Sequence, residues 1–322
     1  MSGHVFVTGA NGRIGLALIE RLVREGNTVV GLARSEDKAN IVRRMGARCL
    51  VGELSQPSVV DVGLESAQTV YHLAGGSRGV GTNTPDRINR QSTLYLIDRL
   101  QRKTQLEALV YTSSCAVHGD RSGLWLDEDM PAHPNTRYGT AKLACETALQ
   151  AAAKEQGLPL RIVRLAAVYG PDFPFMMEDW IRAGTAWLPG EGKNYVPTIH
   201  VDDAIEGLIR CASPDAQFRV YNLADVEPLT LGDFYATVAK HTGGTAPRFW
   251  STWIPSYVQF GAARWNERLQ SKLMMKPRLT PDNIRLFTAS SRLQTTRMEE
   301  ERGMRWKYPN AKKGIEAVLS KS

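Results

Sequence analysis

Tyr138 and Lys142 stand four residues apart in Tyr138-Gly139-Thr140-Ala141-Lys142, in a stretch after Pro134 that reads as a helix to about Lys154. A spacing of four puts both side chains on one helical face. A phenol near its free pKa of about 10 is a poor base at neutral pH, and an adjacent ammonium that stabilises the phenolate makes proton transfer feasible. Ser114 ends an apolar run in Thr112-Ser113-Ser114-Cys115-Ala116-Val117-His118-Gly119 and can hydrogen-bond a reacting oxygen. Cys115, His118 and, further on, Val168 are candidates to line a substrate beside this trio. A Y-x-x-x-K pair alone is common, so its weight comes from what surrounds it.

Near the N-terminus, Thr8-Gly9-Ala10-Asn11-Gly12-Arg13-Ile14-Gly15 forms a T-G-x-x-G-x-x-G turn between an apolar run and an amphipathic stretch. Glycines there permit a tight turn, let the backbone approach a pyrophosphate and allow close strand–helix packing, while the helix N-terminus offers unpaired N–H groups. A second apolar run ends Leu32-Ala33-Arg34-Ser35, without the acid that would bind a ribose diol. Arg34, with Arg13, predicts a site for a 2′-phosphate, a role that suits a guanidinium. NADP(H) is therefore favoured over NAD(H).

Elements that would position these residues are legible in the pattern. Apolar runs at His4 to Val7, Thr28 to Ala33, Arg48 to Val51, Thr69 to Ala74, Ala108 to Thr112 and Leu160 to Val168 alternate with helical periodicity. Ile14, Leu18 and Leu22, with Ile19 and Val23, form one apolar face before Gly26. Such alternation predicts an α/β fold with a doubly wound parallel sheet, the Rossmann fold, and a smaller C-terminal substrate-binding lobe. The dinucleotide-binding domain is expected over residues 1–170, with 198–226 returning to it. Residues 171–197 and 227–322 then form the lobe. A helix is expected from about Val201 to Cys211 and a strand at Arg219 to Ala224.

The chain has 322 residues, 43% hydrophobic and 23% charged, with a net charge of +7. These values fit a globular protein with a large core and argue against disorder. The positive balance reads as scattered solvated charge plus a site for dinucleotide phosphates, with no nucleic acid expected. Cys49, Cys115, Cys145 and Cys211 show no C-x-x-C or zinc-ligand spacing, so reduced thiols and no metal are expected. No secretory leader and no membrane span are expected, which makes the cytoplasm the default compartment.

Taken in order, these motifs resemble those of the extended short-chain dehydrogenases/reductases, the NAD-dependent epimerase/dehydratase family. The glycine turn, Glu53-Leu54, His72-Leu73-Ala74, Asn89, Ser113-Ser114, Tyr138 with Lys142, and Arg164 with Tyr169-Gly170-Pro171 follow the family's sequence. His200-Val201-Asp202-Asp203 and Tyr221-Asn222-Leu223 continue it, so the resemblance spans nearly the whole chain. It implies that Tyr138 is the acid/base, that Lys142 lowers its pKa and holds the nicotinamide ribose, and that Ser114 positions the substrate oxygen. It places Gly9, Asn11, Gly12, Arg13, Ile14, Gly15, Arg34, Glu53, Leu54, Leu73 and Ala74 at the cofactor, with Tyr138 and Lys142. A homodimer joined through the fourth helix and the Tyr138 helix is also implied.

Departures narrow the chemistry. Glu53 replaces the family's usual Asp near the adenine, and His118 replaces the Tyr of a V-Y-G segment, which leaves His118 as a structural or substrate-lining residue or a second acid/base. His72, on an apolar strand, reads as a satisfied core histidine. Cys115-Ala116 occupies the place of the dehydratases' Asp-Glu pair. Ala166-Ala167 and Tyr195-Val196-Pro197 lack the Asn and Arg that hold a nucleotide sugar's diphosphate. The stretch Trp250, Trp253, Ile254, Pro255, Tyr257, Val258 and Phe260, leading into Leu273, Met274 and Met275, resembles the lid of the 3β-hydroxysteroid-dehydrogenase-like branch. Its apolar area suits a small lipophilic substrate; packing of the lobe, a dimer contact or a membrane surface are its other readings. The expected activity is NADP(H)-dependent interconversion of a ketone and a secondary alcohol. A nucleotide-sugar epimerase or reductase and a non-catalytic dinucleotide-binding regulator remain as alternatives.

Overall fold

The computed structural model describes residues 3–75, 85–101, 105–121, 123–173, 177–213, 219–249, 258, 261–266 and 280–319. Its strands are β1 (His4–Thr8), β2 (Thr28–Ala33), β3 (Arg48–Val51), β4 (Thr69–His72), β5 (Ala108–Ser114), β6 (Trp125–Leu126), β7 (Leu160–Leu165), β8 (Ala167–Tyr169), β9 (Trp187–Leu188), β10 (Thr198–His200), β11 (Arg219–Leu223), β12 (Arg248–Phe249) and β13 (Arg292–Leu293). The helices are α1 (Arg13–Arg24), α2 (Glu36–Arg44), α3 (Pro57–Leu64), α4 (Pro85–Leu100), α5 (Arg137–Gln156), α6 (Glu178–Arg182), α7 (Val201–Cys211), α8 (Leu231–Thr242), α9 (Pro281–Thr288), α10 (Thr296–Arg302) and α11 (Ala311–Leu319).

Seven strands form one parallel sheet in the order β3-β2-β1-β4-β5-β7-β11. Both of its faces are covered, so its inner strands read as continuous apolar runs rather than alternating ones. Val5, Val7, Leu18, Ile19 and Leu22 pack with the α7 residues Ala204, Ile205 and Leu208 in one cluster. Phe6, Leu96, Leu100, Leu109, Leu149 and Ile162 pack in another, with α4 and α5. Full burial of each such side chain contributes roughly 1.5–3 kcal/mol. The strand order turns between β1 and β4, which opens a crevice at their carboxyl ends. The glycine turn after β1 and Leu73-Ala74 after β4 flank that crevice.

A strand expected to run from Leu160 to Val168 divides instead at Ala166. β7 ends at Leu165, and β8 leaves to pair with β10 in a separate two-stranded sheet. Tyr169, Ile181, Leu188, Leu231, Tyr235, Val238 and Ile315 then build a third, smaller cluster. The end of the chain is tied to α7: Asp203 accepts from Lys307 N (2.9 Å) and Tyr308 N (2.8 Å), and Trp306 Nε1 donates to the Ala224 carbonyl at 2.7 Å.

Val258 of the aromatic stretch is exposed. Trp250, Trp253, Ile254, Pro255, Tyr257, Phe260, Leu273, Met274 and Met275 lie outside the described residues. Among the described residues no helix is long and apolar enough to cross a membrane, and no group of His, Cys, Asp or Glu could hold a metal ion. None of the four cysteines forms a disulfide, and Cys115 alone among them is incompletely buried.

Candidate active site

Gly9 sits at φ +72°, and a β-carbon there would lie 2.7 Å from Ala74 N and 2.8 Å from the Leu73 carbonyl carbon. Both the left-handed backbone and the contact with β4's end demand glycine. A β-carbon at Gly15 would come within 2.8 Å of the Ala10 carbonyl oxygen, so the first turn of α1 lies directly on the loop. Gly12 caps α1 without a side-chain bond, and no acid stands in the helix's first turn. The N-terminal amides of α1 are therefore left for an anion.

Arg13 and Arg34 are exposed, and neither guanidinium pairs with a described residue. Glu53 is exposed with its backbone N–H bonded to Gln56 Oε1 at 2.8 Å, and Leu54 is buried. Asn11 and Ile14 are half-buried in the glycine turn.

His72 has both ring nitrogens bonded, Nδ1 to Thr8 Oγ1 at 2.7 Å and Nε2 to Thr93 Oγ1 at 3.0 Å. Thr93 donates to the Asn89 carbonyl, so it accepts from His72, which fixes the Nε2–H tautomer. Thr8 then donates to Nδ1 and accepts from Ala74 N at 3.3 Å. One chain of bonds thereby ties β1, β4 and α4 beneath the cleft. Burial, helped by the Lys142 charge, pushes the imidazole down to about 3, so it stays neutral.

Tyr138 and Lys142 come from the first two turns of α5, whose cap is Thr136 accepting from Gly139 N at 3.1 Å. Gly139 lets the helix touch the strand-end loop, since a β-carbon there would overlap the Ala116 carbonyl. That approach sets Tyr138 beside Ser114, whose Oγ also accepts from Ala116 N at 3.2 Å. Burial raises the Tyr138 phenol to about 12, with the Cys115 and Cys145 thiols adding to the rise and the Ser114 hydroxyl opposing it. Lys142 is 4% exposed and donates to the Thr112 carbonyl at 2.7 Å. Burial pushes its ammonium down to about 8, against Cys145 and Glu146. Desolvation is the largest influence on the phenol, which therefore stands above its free value, and Tyr138 holds its proton at neutral pH.

His118 has no exposed surface. Its Nε2 faces Asn222 Oδ1 at 3.3 Å, and burial and the nearby Arg164 push it down to about 4. His118, read from sequence as structural, substrate-lining or a second acid/base, thus sits within a buried polar network. Arg164 grips Glu146 through Nε (3.3 Å) and Nη2 (3.0 Å) and donates to the Glu128 carbonyl at 3.2 Å. Ser113 Oγ donates to Glu146, and Asn222 N donates to Glu128 Oε1 at 2.8 Å. Cys115 and Val168 are both half-buried.

Glu146 and Tyr111, the latter packed under Lys142, were not singled out from sequence. The available signal was a lone acid one turn beyond Lys142 on the helix's buried face.

Against known proteins, residues 5–224 match the NAD dependent epimerase/dehydratase family. The chain is 29% identical over 283 residues, 85% of its length, to a 4-hydroxy-2-methyl-3-oxo-4-farnesyl-3,4-dihydroquinoline-1-oxide ketoreductase of Stigmatella aurantiaca, of which 83% is covered. It is 24% identical over 253 residues, 74% of its length, to a decarboxylating sterol-4-alpha-carboxylate 3-dehydrogenase of Dictyostelium discoideum, 76% of which is covered. The structure of MoeE5 with UDP-glucose and NAD superposes with a TM-score of 0.75 over 99% of this chain and 98% of that one, at 24% identity. With the family match covering both the glycine turn and the Tyr138–Lys142 helix, this chain belongs to the NAD dependent epimerase/dehydratase family.

Proposed function

We propose that the protein is an NADP(H)-dependent oxidoreductase that interconverts a ketone and a secondary alcohol on a small, lipophilic substrate. The observation that carries this reading is the buried Lys142 on the same helical face as Tyr138, with Ser114 against the phenol. With the nicotinamide supplying or taking the hydride, Tyr138 passes the proton to or from the substrate oxygen and Ser114 orients that oxygen. Lys142 would hold the nicotinamide ribose. Gly9, Asn11, Gly12, Ile14, Gly15, Leu73 and Ala74 would bind the dinucleotide, with Glu53 and Leu54 at its adenine end. Cys115 and Val168 would border the substrate, while His118 supports the site from behind. The relatives named for a ketoreductase and a sterol dehydrogenase support a lipophilic ketone. The same reading carries a substrate lobe over residues 171–197 and 227–322 and a cytoplasmic homodimer formed through α4 and α5.

A diphosphate in a closed cleft needs cations or oriented N–H groups, or it bears a desolvation cost of several kcal/mol. Among the described residues downstream of β8, three basic side chains have partners of their own. Arg182 pairs with Glu178, Arg210 with Glu206 and the Arg302 carbonyl, and Lys193 with Glu191. Apolar substrate surface needs no such pairing and gains roughly 25 cal/mol per Å² buried. The expected result is NADPH-dependent reduction of members of a panel of apolar-ring and long-chain ketones, with no thermal stabilisation by UDP- or dTDP-sugars. Saturable micromolar binding of UDP would overturn the substrate class.

Cofactor preference rests on Arg34 and Arg13. Fluorescence titration is expected to show NADPH binding more tightly than NADH, and Arg34→Ala to remove most of the difference, about 1.5–3 kcal/mol for bonds to a charged group. Equal affinities in the unaltered protein would refute it. A preference that survives Arg34→Ala assigns the 2′-phosphate to Arg13.

A further inference from the structure

A buried ammonium needs a partner, and Lys142 forms no ion pair with a described carboxylate. Glu146, one turn along α5, is held by Arg164 and Ser113. One Lys142 proton goes to the Thr112 carbonyl at 2.7 Å. Nζ also lies over aromatic faces, 4.9 Å from the Tyr111 ring centroid and 5.9 Å from that of Tyr138. Only the first is well inside the range in which a ring's negative face attracts a cation, an attraction strengthened by exclusion of water. Tyr111 is 1% exposed on β5, and its ring leans on His72 at 5.4 Å, so its face is fixed.

We propose that Tyr111 is a positioning residue for Lys142, its ring face acting with the Thr112 carbonyl to hold the side chain as an ammonium in the cleft. No described group around Nζ forms an ion pair with it. From β4, His72 is neutral and adds no anion. From α4, Asn89 Oδ1 lies near Gly75, where a β-carbon would stand 3.4 Å from it and 3.3 Å from Nζ. From α5, Cys145 and Glu146 favour the charged form but do not overcome burial, which leaves the ammonium poised near neutrality. Removing the ring face tips that balance toward the neutral amine.

The test titrates Lys142 directly in full-length protein carrying ¹³Cε-lysine, its NMR signal assigned by loss in Lys142→Met. Tyr111→Phe keeps the ring and is expected to titrate within about 0.3 pH units of the parent. Tyr111→Leu, and Tyr111→Met as a second aliphatic variant, are expected to titrate lower by about one unit or more, as loss of a desolvated cation–π contact implies. A parent-like midpoint in the aliphatic variants would overturn the proposal. So would an equal shift in Tyr111→Phe, which would assign the effect to the hydroxyl, or loss of fold in both aliphatic variants, which would assign Tyr111 to core packing. The proposal rests on Lys142 serving the proposed reaction, yet this readout needs neither substrate nor cofactor. A shifted midpoint in a protein that reduces no ketone would defeat the functional reading and leave the positioning role standing.

Discussion

Tyr138→Phe is expected to lose at least ~10²-fold in turnover, the usual scale for a general acid/base, while NADPH binds within about twofold of the parent. The loss corresponds to about 2.7 kcal/mol of barrier. Phenylalanine keeps the ring and its packing, so the change isolates the hydroxyl. The pH dependence follows from the geometry. A phenol raised to about 12 stays protonated through the neutral range and serves as the acid for ketone reduction, a capacity lost only as pH rises toward that value. Lys142 titrates first, so the reduction rate is expected to be level below about 8 and to fall above it as the ammonium loses its proton. Initial rates from pH 6 to 10 check both statements. Near-normal turnover in Tyr138→Phe would remove the residue from the chemistry. Lys142→Met should impair turnover and cofactor binding together, because one side chain serves both.

Glu146→Gln is expected to destabilise the protein by about 3–5 kcal/mol in reversible denaturant unfolding, since it leaves Arg164 charged, buried and unpaired. The side chains of the pair are 1% and 6% exposed, so solvent does not screen them. Replacing both by methionine is expected to cost less than the sum of the single changes, because a well-packed apolar pair avoids the desolvation of two ions. Additive single and double losses would show that the two groups do not act as a pair. Glu146 also accepts from Ser113, next to Ser114, and lies one turn beyond Lys142. Glu146→Gln is therefore expected to reduce turnover in the molecules that remain folded.

Residues close in the chain made the glycine turn and the shared helical face of Tyr138 and Lys142 readable from sequence alone. The glycine turn is local, with the left-handed backbone at Gly9 and the contact of Gly15 with Ala10 inside eight residues, and the strand and helix beside it have clear periods. Tyr138 and Lys142 share a face because a helix places every fourth residue there. The parallel sheet followed from the alternation of apolar runs with amphipathic stretches, which has few other solutions. Contacts distant in sequence were not readable in this way. His118, in its V-H-G segment, read as structural, substrate-lining or a second acid/base, and only the fold shows that β11 brings Asn222 to its Nε2 across 104 residues. The Leu160–Val168 run looked like one strand because apolar residues predominate in both β7 and β8, and only pairing with β10 separates them. Sequence by itself determined which groups could transfer a proton and hold a dinucleotide. Only the tertiary structure decided their charge states, because desolvation of Tyr138 and Lys142, and the partners of Glu146 and His72, depend on what other strands and helices place around them.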